Sequence, residues 1–93
     1  MAKYTMLDVE MLIKRARTQN EQPSFKGADL SNIGLFMVDL EGVDLSKANL
    51  RQANLTRANL RNTALDGADL DSVILEDTDF TGAVPQPEEL DVD

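Results

Sequence analysis

The chain contains no cysteine, no histidine and no tryptophan among its 93 residues. Without cysteine it can form no disulfide and offers no thiolate to a metal ion. Without histidine it lacks the side chain most often used as a general base near neutral pH. Its single tyrosine, Tyr4, lies near the terminus, and no glycine-rich phosphate-binding motif is present. We therefore expect no catalytic residue, no metal site and no cofactor, so the chain should not be an enzyme.

Long hydrophobic runs are also missing from the sequence. A membrane-spanning helix needs about 20 apolar residues, and no stretch of this chain approaches that length. The opening residues, Met1 to Tyr4, do not begin the apolar segment of a secretory signal. These observations favour a cytoplasmic protein without membrane contact.

What the chain does contain is a five-residue repeat. From residue 25 to residue 80, every fifth residue is Leu or Phe. Two residues before each of them stands a second small or apolar residue, for example Val38 before Leu40. Five residues turn a helix by about 140° net and reverse the face of a strand, so neither element buries such a series on one side. A chain that turns a corner every five residues does bury it. The predicted core is Phe25, Leu30, Leu35, Leu40, Leu45, Leu50, Leu55, Leu60, Leu65, Leu70, Leu75 and Phe80.

Four such corners close a square of twenty residues. Successive squares would then stack at the roughly 4.8 Å spacing of paired strands and exchange backbone hydrogen bonds. Residues twenty positions apart should therefore lie one above the other. The repeat provides three squares, which we name coil one (23–42), coil two (43–62) and coil three (63–82).

Residues 48–62 carry the repeat in its clearest form. They read Ala-Asn-Leu-Arg-Gln, Ala-Asn-Leu-Thr-Arg and Ala-Asn-Leu-Arg-Asn. This run resembles the A-(D/N)-L-x-x signature of pentapeptide-repeat proteins, and the resemblance extends over residues 23–82. It implies an all-β solenoid, a right-handed quadrilateral β-helix of about three coils. It implies little about activity, because the motif is a rule for packing the core.

The segment before the repeat, residues 1–22, predicts a capping helix over about residues 5–19. Thr5 followed by Asp8 is typical of a capping box. Solenoids need their first coil covered, so we favour a lid over a free amphipathic helix that contacts a membrane or a partner. The residues expected on the apolar face are Val9, Leu12, Ile13 and Ala16.

The segment after the repeat, residues 83–93, is an acidic tail that contains Pro85 and Pro87. Proline lacks the N–H group that would continue the stack, so it can end the repeat. The tail shows no strong helix pattern and is not an obvious lid. The last coil is then covered by the folded-back tail, by a second copy in a C-terminal homodimer, or by a partner.

The register of twenty also predicts contacts between exposed charges. Each ion pair across neighbouring coils should contribute up to about 1 kcal/mol. Asn59 falls between two aspartates and should separate their charges while donating amide hydrogens, which makes it structural. The expected ion pairs join Arg51 with Asp71, Arg57 with Asp77 and Glu41 with Arg61.

Acidic residues concentrate toward the C-terminus. Residues 63–93 contain ten acidic residues and no lysine or arginine, whereas coil two contains four basic residues and one acidic residue. Such a surface repels nucleic acid and attracts a basic protein, although it also serves solubility. We expect a protein partner of basic character and no direct binding to nucleic acid. The candidate contacts are Asp66, Asp69, Asp71, Glu76, Asp77 and Asp79.

Three apolar residues break the polar pattern of the outer positions. Phe36 and Met37 stand where other pentads place polar residues or glycine, and Ile74 replaces the usual Asp or Asn. Exposed apolar groups on a small solenoid are candidate partner contacts. The competing interpretation of Phe36 and Met37, which we favour, is burial beneath the N-terminal helix as part of the lid.

These features predict a small non-catalytic interaction module or adaptor that uses its outer faces or its acidic end. Two alternatives stay open. The family resemblance implies that the chain could be a DNA mimic that binds and protects a type II topoisomerase, although the basic coil two interrupts the acidic surface that such a mimic needs. The other alternative is a structural or assembly element.

Overall fold

A computed structural model describes residues 4–89. Helix α1 spans Met6–Thr18. Its first turn is closed by the predicted capping box: the Asp8 N–H donates to Thr5 Oγ1 at 3.1 Å, and the Thr5 N–H donates to Asp8 Oδ2 at 3.0 Å. These two bonds satisfy donors that a helix N-terminus leaves unpaired, which explains why α1 begins at this point.

The buried face of α1 is narrower than the sequence predicted. Val9 and Ile13 are buried within the same cluster as the leucines of the repeat, and Met6 packs partly against it. Leu12 was expected on this face but is 45% exposed. At about 100° per residue, Met6 and Ile13 lie to one side of Val9 and Leu12 lies to the other, so Leu12 falls off the contact.

Contacts with coil one hold α1 in place. The rings of Tyr4 and Phe25 pack edge to face with centroids 5.3 Å apart. Arg17 donates to the backbone carbonyl of Glu41 at 2.7 Å and forms an ion pair with Asp39 at 3.4 Å. The inner side of α1 therefore lies against the first pentads of the repeat. No helix among residues 4–89 is long and apolar enough to cross a membrane.

Beyond α1, single-residue β-bridges organise the chain. Residues 4–89 contain nine isolated bridges, all parallel, and each joins residues twenty positions apart, from Ser24 with Asp44 to Ala64 with Val84. Backbone bonds run in both directions across each step: the Leu35 N–H donates to the Asn54 carbonyl at 2.8 Å, and the Asn54 N–H donates to the Ile33 carbonyl at 2.9 Å. The observed spacing agrees with the predicted period of twenty.

A tight turn follows each core residue of the repeat. In every one of the twelve pentads the second residue after the core position has a positive φ, between 57° and 77°. The turn after Leu35 shows the geometry: the Val38 N–H donates to the Leu35 carbonyl at 3.3 Å, with Met37 at φ 62°. A positive φ at the third residue alone is typical of a type II turn. These turns are the predicted corners.

The Asp or Asn before the core residue supports the same turn. In eight pentads its Oδ1 accepts the N–H of the residue after the core position, as Asn54 does from Thr56 at 3.1 Å. This local role was not recognised in the sequence. The expected contact between coils is also present, since Asn59 Nδ2 donates to Asp39 Oδ1 at 3.2 Å. The signature Asp or Asn therefore stabilises the corner.

The core residues fill the interior of the column. Those from Phe25 to Leu70 are at most 4% exposed, whereas Leu75 and Phe80 are only partly buried. Thr63 is the buried polar residue in the described part of the chain, and its hydroxyl donates to the Leu60 carbonyl at 3.0 Å. The core is therefore complete in the middle and less well covered at its C-terminal end.

The segment after the last bridge folds back on coil three. Pro87–Glu89 form a short 3₁₀ helix. Gln86 Nε2 donates to the backbone carbonyls of Phe80 at 3.1 Å and Ala83 at 2.7 Å. The backbone N–H groups of Leu70 and Leu75 donate to no carbonyl among residues 4–89. The last coil thus presents open donors, and the rest of the predicted tail, residues 90–93, lies outside the described residues.

Two of the three expected ion pairs form. Arg51 and Asp71 are 2.9 Å apart, and Arg57 and Asp77 are 3.9 Å apart. The predicted pair of Glu41 with Arg61 is wrong, because no ion pair joins them in the described structure. Glu41 Oε1 instead accepts a hydrogen bond from Asn59 Nδ2 of the neighbouring coil at 3.3 Å.

Candidate functional site

The three apolar residues that break the outer pattern lie on one side of the column. The bridges from Gly34 to Asn54 and from Asn54 to Ile74 stack three pentads on that side. Phe36 is 47% exposed, Met37 65% and Ile74 48%. We name this side, made of residues 33–37, 53–57 and 73–77, the Phe36 face.

The turn geometry explains why Phe36 and Met37 face solvent. They are the two central residues of the turn that the Val38 N–H closes onto the Leu35 carbonyl, so their side chains project from the corner. The alternative that both lie beneath the helix is wrong, because α1 reaches other positions of coil one and leaves this pair exposed. The Phe36 ring lies back along Gly34, with Cε1 3.8 Å from the place a Cβ there would occupy.

The same face lacks two of the polar groups that support corners elsewhere. Gly34 and Ile74 occupy the position of the turn-supporting Asp or Asn, and neither side chain can accept a hydrogen bond. Asn54 between them does so twice, from the N–H of Thr56 at 3.1 Å and from its hydroxyl at 2.6 Å. Ala64 on the opposite side also lacks the acceptor, but the Phe36 face is the side on which two of the three pentads lack it. Such departures are expected at functional sites.

A shallow groove of about 280 Å³ runs down this face, from Phe36 and Met37 past Arg57 to Glu76 and Asp77. The Arg57 and Asp77 side chains are 68% and 71% exposed, and their 3.9 Å separation makes a weak pair. Glu76 has no ion pair in the described part of the chain. An apolar upper half and an acidic lower half therefore share one groove.

The other acidic candidates do not join this groove. Asp66 stands on the opposite side of the column, in the stack that begins with the bridge from Ser24 to Asp44. Asp69 and Asp71 lie on a third side, where both approach Arg51, at 3.8 Å and 2.9 Å. The six predicted acidic contacts are thus distributed around coil three. Only Glu76 and Asp77 lie with the apolar residues.

Asp79, on the fourth side, has a role in its own corner. Its Oδ1 accepts the Thr81 hydroxyl at 2.7 Å and the Thr81 N–H at 3.0 Å. These bonds, the hydroxyl first, hold the pKa of the Asp79 carboxyl below its ordinary value. Among residues 4–89 no three carboxylates gather closely enough to hold a metal ion. The acidic side chains act here as turn supports and surface charge.

One exposed group was missed in the sequence. Leu7 and Met11 of α1 are 64% and 62% exposed, and Leu12 beside them is 45% exposed. Their spacing contained the signal, because Leu7 and Met11 are one helical turn apart and each stands two residues from a buried position. They therefore lie on the outer side of the helix.

The repeat is similar to known proteins in sequence and in structure. The family model of pentapeptide repeats matches residues 36–71 and 48–84, with eight copies. Among solved structures, the chain is similar to Rfr23, a pentapeptide repeat protein from the cyanobacterium Cyanothece 51142, with 37% identity and a TM-score of 0.64 over 75% of this chain and 43% of that one. It is also similar to a pentapeptide repeat protein of the Arabidopsis thaliana thylakoid lumen, with 38% identity and a TM-score of 0.46 over 68% and 44% of the two chains. Comparison with curated proteins gives no significant match.

The chain spans less than half the length of each of these solved relatives. The family model nevertheless covers residues 36–84, more than half of this chain, and the Cyanothece protein exceeds 30% identity over three quarters of it. Pentapeptide-repeat proteins form right-handed β-helices. The chain belongs to the pentapeptide-repeat family.

Proposed function

We propose that this chain is a non-catalytic interaction module that binds a basic protein through the Phe36 face. The observation that carries the proposal is the union, in one groove, of exposed Phe36 and Met37 with Glu76 and Asp77. Apolar and aromatic groups supply most of the free energy of protein interfaces, while charged neighbours steer the encounter and fix the partner's orientation. A partner segment with an apolar side chain next to a lysine or arginine fits both halves.

The architecture proposed with this function is a right-handed square β-helix of three coils with α1 as its N-terminal cap. A rigid column suits an adaptor, because its corners hold the contact residues in place before binding and little ordering entropy is lost. The regular corners of residues 23–84 support this reading. The cytoplasm is the proposed location.

Affinity capture with matched variants tests the proposed function. Wild-type protein and the variants Phe36→Ser and Glu76→Lys would be used as bait in a lysate of the source organism, with Asp66→Lys as the control for charge on the opposite side. We expect a basic protein to be retained by wild type and by Asp66→Lys and to be lost with Phe36→Ser and Glu76→Lys. With the captured protein purified, each loss should amount to roughly 30-fold in affinity, about 2 kcal/mol. Equal binding by Phe36→Ser would contradict the proposal.

The reading as a DNA mimic that protects a type II topoisomerase rests on the family resemblance. Such a mimic needs acidic charge along the whole column, whereas coil two exposes Lys47, Arg51, Arg57 and Arg61. We therefore expect no protection of a topoisomerase in a DNA supercoiling assay that contains a quinolone. Protection that depends on the acids of coil three would replace the present proposal.

Assembly through the C-terminal end stays a prediction. The open N–H groups of Leu70 and Leu75 and the partial exposure of Phe80 favour a cover at that end. The six acidic residues of coil three oppose a second copy there, because two such rims would repel each other. A basic partner is the cover that the charge favours, since the folded-back tail is itself acidic.

A further inference from the structure

Helix α1 carries apolar side chains on two opposite sides. Val9 and Ile13 are buried against the repeat, while Leu7 and Met11 are 64% and 62% exposed. Each exposed residue stands two positions from a buried one, which is about 200° around the helix axis. A helix that only covered a core would present polar residues on that outer side. The outer stripe is therefore a candidate contact surface.

The charges beside this stripe follow a regular order. Asp8 and Arg15 lie along one edge of it, and Glu10 and Lys14 lie along the other. On both edges the acidic residue is in the first half of α1 and the basic residue is in the second half. Glu10, Lys14 and Arg15 form no ion pair in the described structure. Their charges are thus available to a partner.

We propose that the outer stripe of α1 binds a second copy of this chain, with the two helices antiparallel about a two-fold axis. In that arrangement each edge of one helix meets the same edge of the other, running in reverse. Asp8 then faces Arg15 of the second copy, and Glu10 faces its Lys14. The pair of residues 8 and 15 is centred between residues 11 and 12, and the pair of residues 10 and 14 is centred on residue 12. The two centres differ by half a residue, about 0.75 Å along the helix, so one register serves both pairs and brings the Met11 side chains together. The contact is self-complementary and closes as a dimer.

Charge elsewhere in the molecule supports a second copy at this end. Residues 63–93 carry ten acidic residues and no basic one. Because Arg17 of α1 bonds to Glu41 of coil one, a pair joined through α1 places the two copies of the acidic coil three at opposite extremes of the assembly. A pair joined through coil three would bring them together. One helix per copy buries less surface than the 1,200 Å² or so of a stable interface, so the dimer should be weak and depend on concentration.

Sedimentation velocity over a concentration series up to about 1 mM tests the dimer. Wild type should shift from 10.3 kDa toward twice that mass as concentration rises. Met11→Glu should remain monomeric at every concentration with an unchanged melting temperature, since the side chain is exposed. Met37→Glu is the matched control, because Met37 is equally exposed but lies on the Phe36 face, and it should dimerise like wild type. A wild type that stays monomeric, or a dimer that survives Met11→Glu and is lost with Phe80→Glu, would overturn the proposal.

Two charge variants, measured separately and then mixed, test the antiparallel register. Glu10→Lys and Lys14→Glu each place like charges opposite one another in a homodimer, so each should dimerise at least tenfold more weakly than wild type. In an equimolar mixture, every altered residue meets an opposite charge, and a dimer of one copy of each should form. Effects on the helix alone cannot produce this recovery, because mixing leaves each helix unchanged. A mixture as monomeric as its components, under conditions where wild type dimerises, would rule out this register.

Discussion

Replacing Leu55 by alanine removes a side chain from the middle of the column, where Leu35, Leu55 and Leu75 stand one above another. Leu55 is 0% exposed, with a coil on either side of it. Leu75, in the last coil of the same stack, is only partly buried. Truncation of a fully buried leucine costs about 2.7–5 kcal/mol, because the lost transfer energy is joined by the energy of the cavity. We expect Leu55→Ala to fall in this range and Leu75→Ala to cost less, because its site is already open on one side.

Urea unfolding monitored by circular dichroism measures the free energy of unfolding of each variant and so the difference between the two costs. For a domain of this size a loss of 1 kcal/mol lowers the melting temperature by roughly 4–8 °C, so Leu55→Ala should lower it by at least 10 °C or so. Leu55→Asp should prevent folding, since an unpaired charge would be buried without a hydrogen-bonding partner. Equal costs for Leu55→Ala and Leu75→Ala would refute the reasoning, because the last coil would then be as well covered as the middle one.

Three further perturbations test other parts of the fold. Gly42 and Gly82 both have a φ above 70°, so alanine at either should cost about 1–2 kcal/mol in the free energy of unfolding. The two costs should be similar, since a Cβ at Gly42 meets nothing within 4 Å and a Cβ at Gly82 meets Oδ1 at the end of the exposed Asn62 side chain, which can turn aside. No loss at either position would argue against this corner geometry. The Thr81 bonds lower the pKa of Asp79 from 3.8, so the stability that this carboxylate contributes is present at neutral pH and is lost as pH falls below about 4 through the folded pKa. Asp79→Asn should therefore make the stability against urea less sensitive to pH in that range. An unchanged pH profile would contradict this role of Asp79. Deleting residues 1–20 should expose Phe25 and cause aggregation or a lower melting temperature. A soluble truncated protein with the wild-type melting temperature would show that α1 does not act as a cap.

The sequence predicted those features that follow from chain geometry. A period of five admits one inward position per corner, and this was enough to anticipate the buried leucines, the spacing of twenty and the pair of Arg51 with Asp71. The period was not enough to predict which neighbouring group each long side chain contacts. Glu41 was expected to pair with Arg61, but its carboxylate instead accepts a hydrogen bond from Asn59.

Features that depend on how separate elements meet were also beyond the sequence pattern. Leu12 was predicted on the buried face of α1 but is exposed. The periodicity indicates an apolar stripe but not the angle at which the helix lies on the repeat. Phe36 and Met37 were recognised as unusual, but only the position of α1 shows that they face solvent. The candidate contact residues were thus named one by one from the sequence, while the grouping of Phe36 and Met37 with Glu76 and Asp77 in one groove required the structure.

The most direct measurement of the Phe36 face uses a photo-crosslinking amino acid placed at position 36 in cells. The control position is Lys26, which occupies the same place in its pentad on the opposite side of coil one. We expect the probe at position 36 to capture a basic protein, the probe at position 26 to capture none, and the position 36 product to disappear when Glu76→Lys is added. Equal crosslinking from both positions, or a product at position 36 that is indifferent to Glu76→Lys, would contradict the assignment of the Phe36 face as the binding surface.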